Sequence, residues 1–142
     1  MAITQAVCNS FKTEALTATH NFTAATHVFK LALYVAAATL DKNTTAYSAA
    51  NEVADSGTYS AGGGSLTSST PVLSTDTAVC DFADISFTSA TITARGALIY
   101  NSSASNKAVV VLDFGADKTS TAGTFTVIFP TPDASNAILR LA

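Results

Sequence analysis

SATITARGALIY, residues 89–100, alternates polar and apolar side chains through its first half and carries a single arginine in its middle. Alternation with period two is the pattern of a half-buried strand. Thr91, Thr93 and Arg95 fall on one face, and Ile92, Ala94, Leu98 and Tyr100 on the other. Gly96, directly after the arginine, marks a bulge or a place where another part of the chain comes close. Outward from this strand the same reading repeats. KAVVVLDF (107–114) is apolar on both faces, as expected of a strand covered from both sides. In TFTVIF (124–129), Phe125, Val127 and Phe129 oppose Thr124 and Thr126. In HVFKLALYVA (27–36), Phe29, Leu31, Leu33 and Val35 share a face, with Lys30 and Tyr34 on the other. A helical template also catches Val28, Leu31, Ala32 and Val35, but alternation fits more of the segment. AILRLA (137–142) reads as a closing strand with Ala137, Leu139 and Leu141 inward.

Between these runs lie DKNTT (41–45), ADSG (54–57), AGGGS (61–65), NSSASN (101–106) and ADKTSTAG (116–123). Gly, Asn, Asp and Ser supply the positive-φ and side-chain-capped positions that turns require. Pro71, Pro130 and Pro132 fall where strands should start or stop. Seven or eight short strands with frequent turns and no long helix predict an all-β protein, an antiparallel β-sandwich or barrel over residues 22–142.

Residues 1–21 differ. Ile3, Val7 and Phe11 recur every four positions, and Thr4 is placed to cap a short helix. A brief amphipathic helix and an extended arm both fit. Either needs an apolar surface to pack on, with the chain's own sheet as the default partner and a neighbouring subunit as the sharper alternative.

Composition narrows the function classes. The 142 residues suffice for one domain with a real core. Charged residues are only 12% of the chain, about half the usual share, so much of the surface is expected to be hidden in an assembly. A net charge of −3 with scattered basic residues argues against a nucleic-acid partner. The longest apolar run, VFKLALYVAAATL (28–40), contains Lys30 and falls short of the roughly 20 residues of a membrane span. No basic start and apolar h-region opens the chain, so no secretory leader is expected and the triplets at 21–23, 43–45 and 101–103 are not read as glycosylation sites. Cys8 and Cys80 read as reduced interior residues rather than a disulfide.

No motif carries catalysis. DFG (113–115) lacks the Gly-rich loop, strand lysine and catalytic loop that would make it a kinase element. Gly62–Gly64 precedes neither a GK[ST] sequence nor a helix, so it reads as a loop or bulge rather than a phosphate cradle. His20 and His27 have no Cys or well-placed carboxylate beside them, and no metal is expected. Glu14 and Glu52 are the two glutamates. Asp81, Asp84, Asp113 and Asp117 lack calcium-loop spacing and read as turn caps. For Arg95 the preferred role is an ion pair with one of these aspartates, followed by a contact to another subunit.

The pieces QAVCNSFKTEAL (5–16), HNF (20–22), FKLALY (29–34), TAYSAANEVADSGTYSAGGGSL (45–66), DFADISF (81–87), TITARGALIYN (91–101), NKAVVVLDFGADKTS (106–120) and GTFTVIFP (123–130) together resemble a widespread group of tailed-bacteriophage virion structural proteins. The likeness runs over nearly the whole chain. In size and character it resembles a capsid cement, or decoration, protein of a short-tailed phage. That resemblance implies a jelly-roll sandwich and a homodimer made in the host cytoplasm. It also implies a place on the outer surface of a capsid built from an HK97-like major capsid protein. No enzymatic activity and no cofactor come with it. The candidate interface residues are Ile3, Val7, Phe11 and Arg95. A tail adaptor or fibre-associated protein shares the same features. A carbohydrate-binding module would want exposed aromatics, whereas Trp is absent and the four tyrosines are dispersed.

Overall fold

The computed structural model describes residues 2–142. Its elements are β1 (Ala6–Val7), α1 (Asn9–Leu16), β2 (Phe29–Tyr34), β3 (Gly64–Ser65), β4 (Ser68–Ser74), β5 (Thr77–Phe82), β6 (Ile85–Asn101), β7 (Lys107–Val127) and β8 (Leu139–Leu141). They form a five-stranded antiparallel sheet in the order β1-β7-β6-β2-β3 and a three-stranded one in the order β4-β5-β8. The architecture is thus the expected all-β one, built as two sheets. Jelly-roll connectivity is not part of what this strand order establishes.

The strand that carries SATITARGALIY, β6, lies at the centre of the large sheet. β6 pairs with β7 from Ile85↔Val127 to Asn101↔Lys107, and with β2 from Phe29↔Asn101 to Tyr34↔Gly96. The β6–β7 turn is closed by Asn101, whose side chain accepts a hydrogen bond from the Ser103 amide, and by left-handed backbone at Ser105 and Asn106. Gly96 answers to close approach: a Cβ there would run into the Leu112 carbonyl and the side chain of Ile3. The pairing slips between Ala94 and Gly96, where β7 bulges through residues 114–117.

Both faces of this sheet are covered. Phe29, Leu31, Leu33, Ala97, Ile99 and Leu112 face one cluster, which Phe82 and Leu139 of the small sheet complete. Ala32, Tyr34, Leu98, Tyr100 and Val111 face a second cluster, capped by Ile3, Cys8, Ala38 and Leu40. Burying a Leu, Ile or Val side chain stabilises by about 1.5–3 kcal/mol, so the two clusters dominate the energetics. Tyr34, expected opposite the core, is 1% exposed because that face has its own cover. The doubly apolar reading of residues 107–114 holds at Ala108 through Leu112, all buried.

Part of that cover comes from the N-terminal segment, which is both a strand and a helix. β1 extends the free edge of β7 through Ala6↔Val111 and Val7↔Val110. The Thr4 amide donates to the Leu40 carbonyl at 2.8 Å, and the Cys8 amide to the Val109 carbonyl at 3.0 Å. Cys8, not Thr4, occupies the N-cap of α1, and it makes no side-chain capping bond. Residues 2–16 therefore belong to the same folded unit as the sandwich rather than forming a separate arm.

Candidate interface: an apolar groove and the network behind it

Ala78 pairs with both Leu73 and Leu141, so these three side chains lie in a row. Leu139 is buried, but Leu73 and Leu141 are 73% and 72% exposed. The closing strand was expected to point Leu141 inward; it points toward α1 across a gap instead of into a packed core. The gap is a groove of about 400 Å³ between β1 and α1 on one side and β5 and β8 on the other. Val7, Phe11 and Ala15 form one wall, Cys80, Leu139 and Leu141 the other. Its floor joins the core through an aromatic chain: Phe11 meets Phe22 edge-on at 5.8 Å, and Phe22 stacks on Phe29 at 4.4 Å. Lys12 and Arg140 are the only charged side chains on the lining, and both are cations. Neither is salt-bridged among the described residues; Lys12 donates to Asn9, and Arg140 to the carbonyls of Ala134 and Ser135. Apolar side chains left uncovered side by side, with cations at the rim, suit an interaction site.

Of the residues singled out from the sequence, Val7 and Phe11 meet in the groove. Ile3 is 8% exposed and belongs to the cluster on the other face of the large sheet, over Gly96, so its contact is with its own chain. Arg95 lies at the β7 bulge and pairs Nε to Asp117 Oδ1 at 2.8 Å, both side chains being more than a third exposed. This is an ion pair with one of the aspartates expected for it, and it is made within the chain. Two of the other aspartates cap a turn or strand end: Asp113 accepts from the Gly115 amide and Asp84 from the Phe129 amide, each at 2.8 Å.

Behind the α1 wall lies a polar network that the sequence did not disclose. His20 has a fully buried side chain, and its Nε2 lies 3.2 Å from Glu14 Oε1, while Glu14 Oε2 pairs with Lys107 Nζ at 2.9 Å. Asn101 Nδ2 reaches Nδ1 of His20 at 3.1 Å and Nδ1 of His27 at 2.9 Å. Burial is the largest influence on His20 and drives its pKa below the ordinary value, against the pull of Glu14. Burial also works against ionising Glu14, but hydrogen bonds from Lys107 and His20 outweigh it and hold the carboxyl below its usual range.

Glu52 organises a second network. It accepts from Tyr47 Oη at 2.6 Å, from Tyr59 Oη at 2.8 Å and from the Gly62 amide at 2.7 Å, and Tyr100 Oη donates to the Gly62 carbonyl. Burial first, then Glu52, pushes the Tyr47 hydroxyl pKa far above the ordinary tyrosine range; in Tyr59 the same two influences prevail over the Leu33 amide bond. The glycine run sits here because a Cβ on Gly63, whose φ is +79°, would overlap the Leu31 carbonyl. Both glutamates are thus committed to holding loops in place.

Among the described residues no group of three or more His, Cys, Asp or Glu side chains is placed to hold a metal ion, and no helix is long and apolar enough to cross a membrane. Both cysteines are free thiols. Comparison with protein-family models, curated proteins and solved structures finds no match.

Proposed function

We propose that the protein is a non-enzymatic virion structural protein that decorates the outside of a phage capsid, with the groove as its docking face. The observation that carries the docking reading is the uncovered groove itself: apolar walls continuing onto exposed Leu73 and Leu141, and a rim with cations but no carboxylate. Such a surface suits an apolar segment of a neighbouring major capsid subunit that brings an acidic side chain to Lys12 and Arg140. The capsid itself enters through the resemblance of the chain to phage virion proteins.

The mechanism is mechanical. A ligand that binds only one state of a lattice stabilises that state by mass action. Repetition over a symmetric shell multiplies modest contacts, and a homodimer would match two-fold positions. The tyrosines favour this reading over carbohydrate binding, since Tyr34, Tyr59 and Tyr100 are buried and Tyr47 stacks on Tyr100 at 4.8 Å, leaving no tyrosine platform for a sugar ring.

Copy number per particle, from quantitative mass spectrometry of purified virions, tests the assignment. Parity with the major capsid subunit is the expected result. A handful of copies would move the protein to the tail or its fibres, and absence from the particle would overturn the virion reading.

A further inference from the structure

The network behind α1 has a built-in polarity that constrains two protons. The Ser103 amide donates to Asn101 Oδ1 at 3.0 Å, so the Asn101 side chain must turn its Nδ2 toward the histidines. An amide nitrogen only donates, and both imidazoles meet it with Nδ1. His20 and His27 are therefore neutral rings with a free lone pair at Nδ1. His20 keeps its proton on Nε2, facing Glu14. His27 Nδ1 accepts a second donor, the Asn21 amide, at 3.3 Å.

A further proton has no comfortable place here. On Nδ1 of His20 it would point at the Asn101 amide. Turning that amide over would set its NH2 against the Ser103 N–H. The charges around the pair are Glu14 on α1, Lys107 at the start of β7 and each histidine's effect on the other, with Phe11 at 4.9 Å and Phe29 at 6.4 Å beside the His20 ring. Only Glu14 favours a second positive charge, and Lys107 already engages it.

We propose that His20, tied through Asn101 to His27, is an acid-sensitive latch that seats α1 and residues 17–28, and hence one wall of the groove, and that releases them as the pH falls. The regulatory consequence rests on the docking reading: a partner held in the groove at neutral pH would be let go in acid. The sign follows from the direction of the His20 shift. Its folded-state pKa is depressed, so its contribution is complete above the unfolded value of about 6.5 and is lost as the pH falls from there toward the folded value.

The test is done on the free full-length chain, labelled with 15N. Imidazole nitrogen shifts report the tautomers, and amide exchange, expressed as protection, reports on residues 9–28. Expected are unprotonated Nδ1 on both rings near neutrality and about a tenfold or greater loss of protection in residues 9–28 between about pH 7.5 and about pH 5, while residues 97–112 stay protected. His20→Gln retains a donor toward Glu14 and cannot gain a proton, so its acid loss of protection should be well below that of the unaltered chain. If that variant does not fold, the imidazole nitrogen shifts of the unaltered chain decide, and His20 must gain its second proton over the same pH range in which residues 9–28 lose protection. Protection that is equal at both pH values, an Nδ1–H tautomer in the native protein, or an undiminished acid loss in the folded glutamine variant would each overturn the latch. These results leave the docking reading standing, whereas capsids that ignore the protein at neutral pH would defeat that reading and leave the latch intact.

Discussion

The middle of the large sheet and the free end of the small one are built from the same aliphatic residue types, and their fates are opposite. Leu98 and Ile99 are neighbours on opposite faces of β6, and both are completely buried. Leu139 and Leu141 are on one face of β8, and only the first is buried. A strand's pattern says which side chains travel together. Whether that side is covered depends on segments far away in the chain. At the large sheet, Ile3, Cys8 and Leu40 close a face that alternation alone would have left to solvent.

The largest effect should come from the doubly covered region. Ile99→Ala is expected to cost about 2–5 kcal/mol in chemical denaturation, against less than about 0.5 kcal/mol for Leu141→Ala. Similar losses at the two sites would erase the distinction between a packed and an open face. Gly96→Ala comes next. The added methyl meets Leu112 backbone and Ile3, and a cost of about 1–3 kcal/mol is expected, with raised amide exchange in residues 2–7 showing that the N-terminal cover has lifted.

Leu141→Asp should leave the melting temperature nearly unchanged while abolishing co-sedimentation with capsids. Retained binding would remove the groove from the docking surface. At the bulge, Arg95→Ala is expected to change stability by no more than about 0.5 kcal/mol, since its partner Asp117 is well exposed and the pair is screened.

The two thiols offer the gentlest version of the comparison, because burial is the leading cause that pushes both up to about 11. Maleimide should nonetheless modify only Cys80, at the groove, and leave the fully buried Cys8 untouched in the native protein. The rate should climb roughly tenfold per pH unit below the thiol pKa, since the thiolate is the reacting form. Equal labelling of Cys8 would mean that the N-terminal cover opens readily.

Much of the fold was legible because strand pairing leaves a local trace. Residues 107–114 announced two-sided burial, Phe125, Val127 and Phe129 announced one, and Gly96 announced a close neighbour without naming Ile3. The site was legible only in part. Val7 and Phe11 stood out by their spacing, yet nothing local shows that Leu141 and Cys80 stand across from them. His20 and His27 were visible as a pair, but the residue that joins them, Asn101, lies more than 70 positions away and looked like an ordinary turn former.

The sequence by itself determined the all-β class and several of the strands, because these follow from side-chain periodicity. Residues 116–123, which read as a turn, instead continue β7 past a bulge, and Pro71 lies at a bulge inside β4 rather than at its end. Only the tertiary structure decided that the N-terminal segment caps the large sheet, that α1 and the small sheet leave a groove between them, that Arg95 pairs within the chain, and that one asparagine joins two histidines. Coverage and hydrogen-bond partnership are relations between distant parts of a chain, and no local pattern encodes which distant surface arrives to meet it.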